Sequence, residues 1–224
     1  MKYKIILIIV LLSLPLTLNA TLSGVEPTIP ESTNGTWEIT KITENAYSSD
    51  WNASLALDSA NKAHVSYAEK APAPTVYYLK HASQPFNPAY ADETVVSGGY
   101  VGLPSSIAID KSGNGHIAYG AKDNVRYAKE EAGQWQYETV HFSFDWFQDV
   151  SLALDSSDNP HISYFDWDTK DVWYSYYDPG TENWKREVVA GDGIFVAQMA
   201  WNNGPHLVYK DDAGIQYKHK SGSE

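Results

Sequence analysis

The sequence predicts an all-β fold built from four like units, on three observations. First, one pattern recurs: an alternating strand ending in Asp (Asn in the last copy), a short turn, then a strand opening on His with Tyr three residues later. The copies are SLALDSANKAHVSY at 54–67, SIAIDKSGNGHIAY at 106–119, SLALDSSDNPHISY at 151–164 and QMAWNNGPHLVY at 198–209. Second, the repeated histidines, His64, His116, His161 and His206, are spaced by 52, 45 and 45 residues. That period suits four-stranded propeller blades rather than helical solenoids or leucine-rich arrays. Third, beyond the N-terminus no apolar stretch has the helical period, whereas Ser54, Ala56 and Asp58 alternate with Leu55 and Leu57. Ser106/Ala108/Asp110 against Ile107/Ile109, and Ser151/Ala153/Asp155 against Leu152/Leu154, repeat the alternation. Small residues let neighbouring blades approach, and the leucines fill between them.

Each element follows in chain order. Lys2 and Lys4, an apolar run from Ile5 to about Leu18 and the ending Leu18-Asn19-Ala20 have the make-up of a secretory signal peptide over 1–20. The run is shorter than the ~20 residues a spanning helix needs, so export to the cell surface or medium is expected, with no membrane insertion after cleavage. Residues 21–36, with Pro27 and Pro30, read as a flexible lead-in, and 37–224 as the propeller. A third strand is expected in each unit at Val76–Ala82, Val125–Lys129, Val172–Tyr177 and Ile215–Lys220. A fourth strand carries an aromatic residue, Glu three on and Val five on: Tyr90/Glu93/Val95, Trp135/Glu138/Val140 and Trp184/Glu187/Val189. After Lys220 only Ser-Gly-Ser-Glu remains, while an equivalent strand stands unpaired at Trp37–Ile42. The expected fold is therefore four blades of four antiparallel strands, with the N-terminal strand closing the ring and hiding its edge. The alternative is half of a larger propeller, built by two chains or cut from a longer frame.

The third copy resembles the blades of secreted and cell-surface propellers of bacteria and archaea, which read S-L-A-L-D-x-x-x-x-P-H-I-S-Y, and the resemblance covers about residues 37–220. More distantly the chain is similar to the fucose-binding lectin propellers, which share the strand order. Their sugar-binding triads have no residue-by-residue counterpart here, so that resemblance implies a glycan-binding role and no site.

Composition narrows the partners. The formal charge of −12, or −14 once Lys2 and Lys4 are removed, opposes nucleic acid and anionic lipid. Neutral and cationic ligands remain. Two arginines, Arg126 and Arg186, give little material for guanidinium clamps and cannot build a sialidase arginine triad. The absence of Cys removes thiol nucleophiles and disulfides, so packing alone must stabilise an exported chain. No G-x-S-x-G, H-E-x-x-H or phosphate-loop motif occurs.

The four histidines open second strands, too far from any axis to share a metal whose Zn–N bonds are about 2.1 Å. A structural role is expected for each, held by the residue ending the preceding strand: Asp58, Asp110, Asp155 and Asn202. Ligand binding is expected instead on the face formed by the loops between blades together with the loops between second and third strands. Trp51, Tyr100, Phe144, Asp145, Trp146 and Trp167 are the candidate residues, within a region where His141–Asp149 is densely aromatic. Trp146 and Trp167 are expected to be exposed, Phe142 and Phe195 buried. Such aromatic groups stack on the apolar faces of sugars while carboxylates accept hydroxyl hydrogen bonds. No catalytic residue and no cofactor is assigned; a calcium ion at Asp166, Asp168, Asp211 and Asp212 is a weak option, since the spacing lacks a calcium-loop pattern. The expected function is that of an exported, non-catalytic binding module for a glycan. The alternatives are a glycan hydrolase or lyase using loop carboxylates such as Asp50, Asp149 and Asp192, or a scaffold that pairs with another protein.

Overall fold

The computed structural model describes residues 39–40, 42–43, 53–70, 76–86, 92–143, 147–191 and 195–220, backbone only at 147–148 and 195–197. These residues form four antiparallel sheets. The first holds β1 (Ala53–Leu57), β2 (Ala63–Lys70), β3 (Tyr77–Ser83) and β4 (Asp92–Ser97). The second holds β5 (Val101–Ile109), β6 (Gly115–Ala121), β7 (Asn124–Glu131) and β8 (Gln134–Phe142). The third holds β9 (Phe147–Leu154), β10 (Pro160–Asp166), β11 (Asp171–Asp178) and β12 (Asn183–Ala190), and the fourth β13 (Phe195–Trp201), β14 (Pro205–Asp211) and β15 (Gly214–His219). Strands pair in chain order within every sheet, so each sheet is a blade of the predicted propeller.

The repeat is the hairpin of each blade's first two strands. His64 pairs with Ala56, His116 with Ala108, His161 with Ala153 and His206 with Ala200, so the four histidines share one register position. The strand-ending Asp closes the turn, because its short side chain reaches backbone amides two and four residues on. Asp58 Oδ1 accepts from the amides of Ala60 and Lys62, Asp110 Oδ1 from Ser112 and Asn114, and Asp155 Oδ1 from Ser157 and Asn159. Asn61, Gly113 and Asp158 take the left-handed conformation there, at φ 61°, 88° and 64°. Gly, Asn and Asp bear that conformation at the lowest cost, which explains the turn compositions.

Neighbouring blades are joined by a polar stitch and an apolar seam. The hydroxyl of Ser54 accepts the amide of Ile107, Ser106 that of Leu152, and Ser151 that of Met199, each at 3.0–3.1 Å. Around the second stitch, Val125, Tyr127 and Val140 of one blade pack with Leu152, Ile162 and Tyr164 of the next. Burying a side chain of that size contributes about 1.5–3 kcal/mol. The fourth-strand signature has its reason here too: the Trp184 indole donates to Glu138 of the preceding blade at 2.6 Å. On β12 the matching Glu187 meets Lys220 at 2.8 Å.

Three blades have the expected four strands, and the fourth has three among the described residues. Of the expected closing strand, residues 37, 38 and 41 lie outside the described set, and Ile39, Thr40, Ile42 and Thr43 carry no sheet ladder. Ring closure is thus not part of the described structure. The innermost strands lie side by side from β1 to β5, β9 and β13, with no comparable contact between β13 and β1. Ile42 nonetheless packs with Val65, Tyr67 and Ala82 of the first blade. Val95 makes the matching contact with Ile117 and Tyr119, and Val140 with Ile162 and Tyr164. Five residues after Trp37, Ile42 holds the fourth-strand Val position.

Candidate functional site

Every blade contains a polar line built on its repeated histidine, buried in the first three blades and partly exposed in the fourth. His116 Nε2 lies 3.4 Å from Asp110 Oδ2, His64 Nε2 3.5 Å from Asp58 Oδ2 and His161 Nε2 3.6 Å from Asp155 Oδ2. In the fourth blade His206 Nε2 meets the backbone carbonyl of Asn202 at 3.1 Å, so Asn202 serves through its main chain. The other ring nitrogen has a partner on the third strand: Tyr127 for His116 at 2.5 Å, Tyr174 for His161 at 2.6 Å and Tyr217 for His206 at 2.7 Å. In the first blade His81 takes that place, 3.0 Å from His64, and passes the line to Glu93 at 2.7 Å. Burial pushes the imidazoles of His64, His116 and His161 below the ordinary histidine value, against the pull of their aspartates. They are neutral, paired groups in the blade interior.

Between the third and fourth blades this line borders a cavity of about 680 Å³. The Trp201 indole stacks on His161 with centroids 3.8 Å apart, and His161 in turn stacks beside Tyr174 and Tyr176 at 5.8 and 6.2 Å. Trp201 stands where Leu57, Ile109 and Leu154 stand in the other blades. Tyr177, Asp155, Asp178 and Lys220 complete the polar and aromatic walls. His161 Nε2 is itself buried, with Asp155 Oδ2 3.6 Å away.

The two carboxylates are partly engaged. Asp178 accepts from the Gly180 amide and the Thr181 hydroxyl, and Asp155 from two amides and the Asn159 side chain. A carboxylate offers about four lone-pair positions, so both retain acceptor capacity. The Thr181 hydroxyl bond holds Asp178 below the usual carboxylate range. Burial pushes Asp155 up, but the Asn159 and Ser157 hydrogen bonds outweigh it and leave it below that range.

On the expected loop face, Trp51, Phe144, Asp145 and Trp146 lie outside the described residues, as do Asp50 and Asp192. Tyr100 is half-buried against Tyr77 at 5.4 Å. Trp167, expected to be exposed, is half-buried: it packs edge-on to Phe165 at 5.2 Å, and the Lys170 ammonium sits 3.7 Å from its ring. Phe142, expected to be buried, is 71% exposed at the last pair of the β7–β8 ladder, opposite Asn124. The Phe195 side chain is not described. Asp166 is buried and accepts from the Ser143 hydroxyl and the Asp168 amide, while Asp211 accepts from Ala213, Gly214 and Gln216. Those carboxylates are taken up by loop construction, and no group of three metal-ligating side chains occurs among the described residues. Arg126 on β7 and Arg186 on β12 belong to different blades.

Sequence reasoning looked to the other face and passed over the cavity. Its signals were Trp201 in a Leu position and the run Trp173–Tyr177, four of whose five residues are aromatic.

No protein-family model matches the sequence, and no curated protein matches it. Solved structures do. A Hadza microbial sialidase superposes with a TM-score of 0.55 at 8% identity, over 75% of this chain and 43% of that one. A protein of unknown function from Dyadobacter fermentans gives 0.51 at 13% identity, over 79% and 63%. A prolyl endopeptidase gives 0.50 at 12% identity, over 75% and 26%. This chain therefore spans less than two thirds of each, and the likeness is one of fold.

Proposed function

We propose that the chain is an exported, non-catalytic binding module whose ligand is a glycan, held in the cavity between the third and fourth blades. The observation that carries the reading is the wall of His161, Trp201, Tyr174 and Tyr176 set between the carboxylates of Asp155 and Asp178. Sugar C–H faces stack on such rings, and their hydroxyls donate to carboxylates. Export rests on the signal-peptide pattern of residues 1–20. Likeness to a sialidase on one side and a prolyl endopeptidase on the other leaves the choice of ligand to the site.

Binding is favoured over hydrolysis by the protonation of the cavity. Two-carboxylate glycoside cleavage needs one carboxylic acid to protonate the leaving group. Asp155 and Asp178 are both held below the usual carboxylate range, which disfavours either as that acid.

A glycan-array screen of the purified chain tests this, with Tyr176→Ala and Trp146→Ala in parallel and circular dichroism on all three. Signals weakened about tenfold by Tyr176→Ala and kept by Trp146→Ala would support the cavity. The opposite pattern would move the site to the loop face. An array without signal for the wild type would refute glycan binding.

A further inference from the structure

Among the described residues, two apolar faces at the ends of the blade series lack the neighbour that every inner face has. On the first blade Leu55 is 56% and Leu57 49% exposed; on the fourth, Ile215 is 69% and Tyr217 59% exposed. Register identifies these faces. Leu55 holds the position of Ile107, Leu152 and Met199, which are 5%, 7% and 8% exposed in contact with a preceding blade. Ile215 and Tyr217 hold the positions of Val125 and Tyr127, which are 0% and 4% exposed in contact with a following blade. The exposed faces are thus the two halves of the interface that recurs three times within the chain.

The polar stitch continues the match. Gln198 stands where Ser54, Ser106 and Ser151 stand, and its side-chain carbonyl is an acceptor suited to the Leu55 amide. Among the described residues of one copy the two faces do not meet, since β13 makes no contact with β1 comparable to those between the other inner strands.

We propose that these faces form a head-to-tail interface between two copies of this chain, the fourth blade of each seated on the first blade of the other. A contact of this kind is heterologous, and used twice it closes a two-copy ring. Ile42, packed on the first blade at the fourth-strand Val position, then stands beside the open edge of β15 of the second copy. The proposal is independent of the ligand, because none of these residues lines the cavity.

The absence of Cys makes the test clean. Leu55→Cys and Tyr217→Cys are made as separate single variants, mixed and treated with a short bismaleimide, and the wild type is examined by sedimentation across the micromolar range. The expected result is a covalent pair containing one chain of each variant, with wild type at twice the single-chain mass. Leu55→Glu, a change at an exposed position, should return the protein to single-chain mass without altering its circular dichroism. Wild type at single-chain mass throughout would overturn the proposal. So would a Leu55→Cys/Tyr217→Cys double variant that cross-links only within one chain, because the fourth blade would then close on its own first blade.

Discussion

Leu55 and Leu152 occupy the same place in the same five letters, SLALD, yet one is 56% exposed and the other 7%. Nothing local separates them: both follow Ser, precede Ala and pair with the second strand of their own blade. What differs is the second blade, which places Val125, Tyr127 and Val140 against Leu152, while no blade precedes Leu55 among the described residues. In a repeat protein the pattern fixes which face a residue takes, and the neighbouring repeat decides whether that face is covered.

The most forceful way to break the comparison is truncation of both leucines. Leu152→Ala should lower the unfolding free energy by about 2–5 kcal/mol in denaturant titrations, because it empties a packed seam. Leu55→Ala, measured at concentrations where chains are single, should cost under about 1 kcal/mol. Equal losses would show that Leu55 is covered within the single chain.

A hydroxyl deletion sharpens the contrast at the other end. Tyr127→Phe leaves His116 Nδ1 buried without its partner and should cost about 1–3 kcal/mol, whereas Tyr217→Phe acts at an exposed ring and should cost clearly less. A smaller difference is expected for the stitch. Ser106→Ala removes the acceptor of the Leu152 amide, at about 0.5–1.5 kcal/mol, while Gln198→Ala should be near neutral in the single chain.

The gentlest effect is on pH dependence. His64, His116 and His161 have folded pKa values below the ordinary 6.5, so as pH falls the unfolded chain takes up protons first. Their contribution is full above about pH 6.5 and declines below it. For Asp58, Asp110 and Asp155 the folded value lies below the ordinary 3.8, so that stabilisation is kept above this pH and lost only as pH falls through it. Melting temperatures should therefore fall in two separate stages on acidification. In His116→Asn the first stage should shrink. A melting temperature flat between about pH 7.5 and 5 would contradict the neutral-histidine assignment.

The blades were legible because their information is periodic. The Asp-turn-His spacing specifies the hairpin, and the aromatic-Glu-Val signature located β8 and β12 within a residue or two. The second partner of each histidine was harder to read, since it lies on the third strand at separations of 11, 13, 11 and, for His81, 17 residues. A recurring Tyr behind the His in three blades was the available signal. The cavity was not legible from the repeat, because one of its walls, Trp201, stands where the repeat has Leu or Ile. Phe142 misled because aromatic character suggested a buried plug, whereas it is exposed at the end of the β7–β8 ladder, next to buried His141.

The serine stitches bind each blade only to the one before and the one after, so cooperativity must pass along the series link by link. The second and third blades are held from both sides, whereas the first and fourth are held from one. Amide exchange should therefore be graded along a single chain, slowest in β6 and β10 and fastest in the terminal hairpins, as in a zipper that opens from its ends.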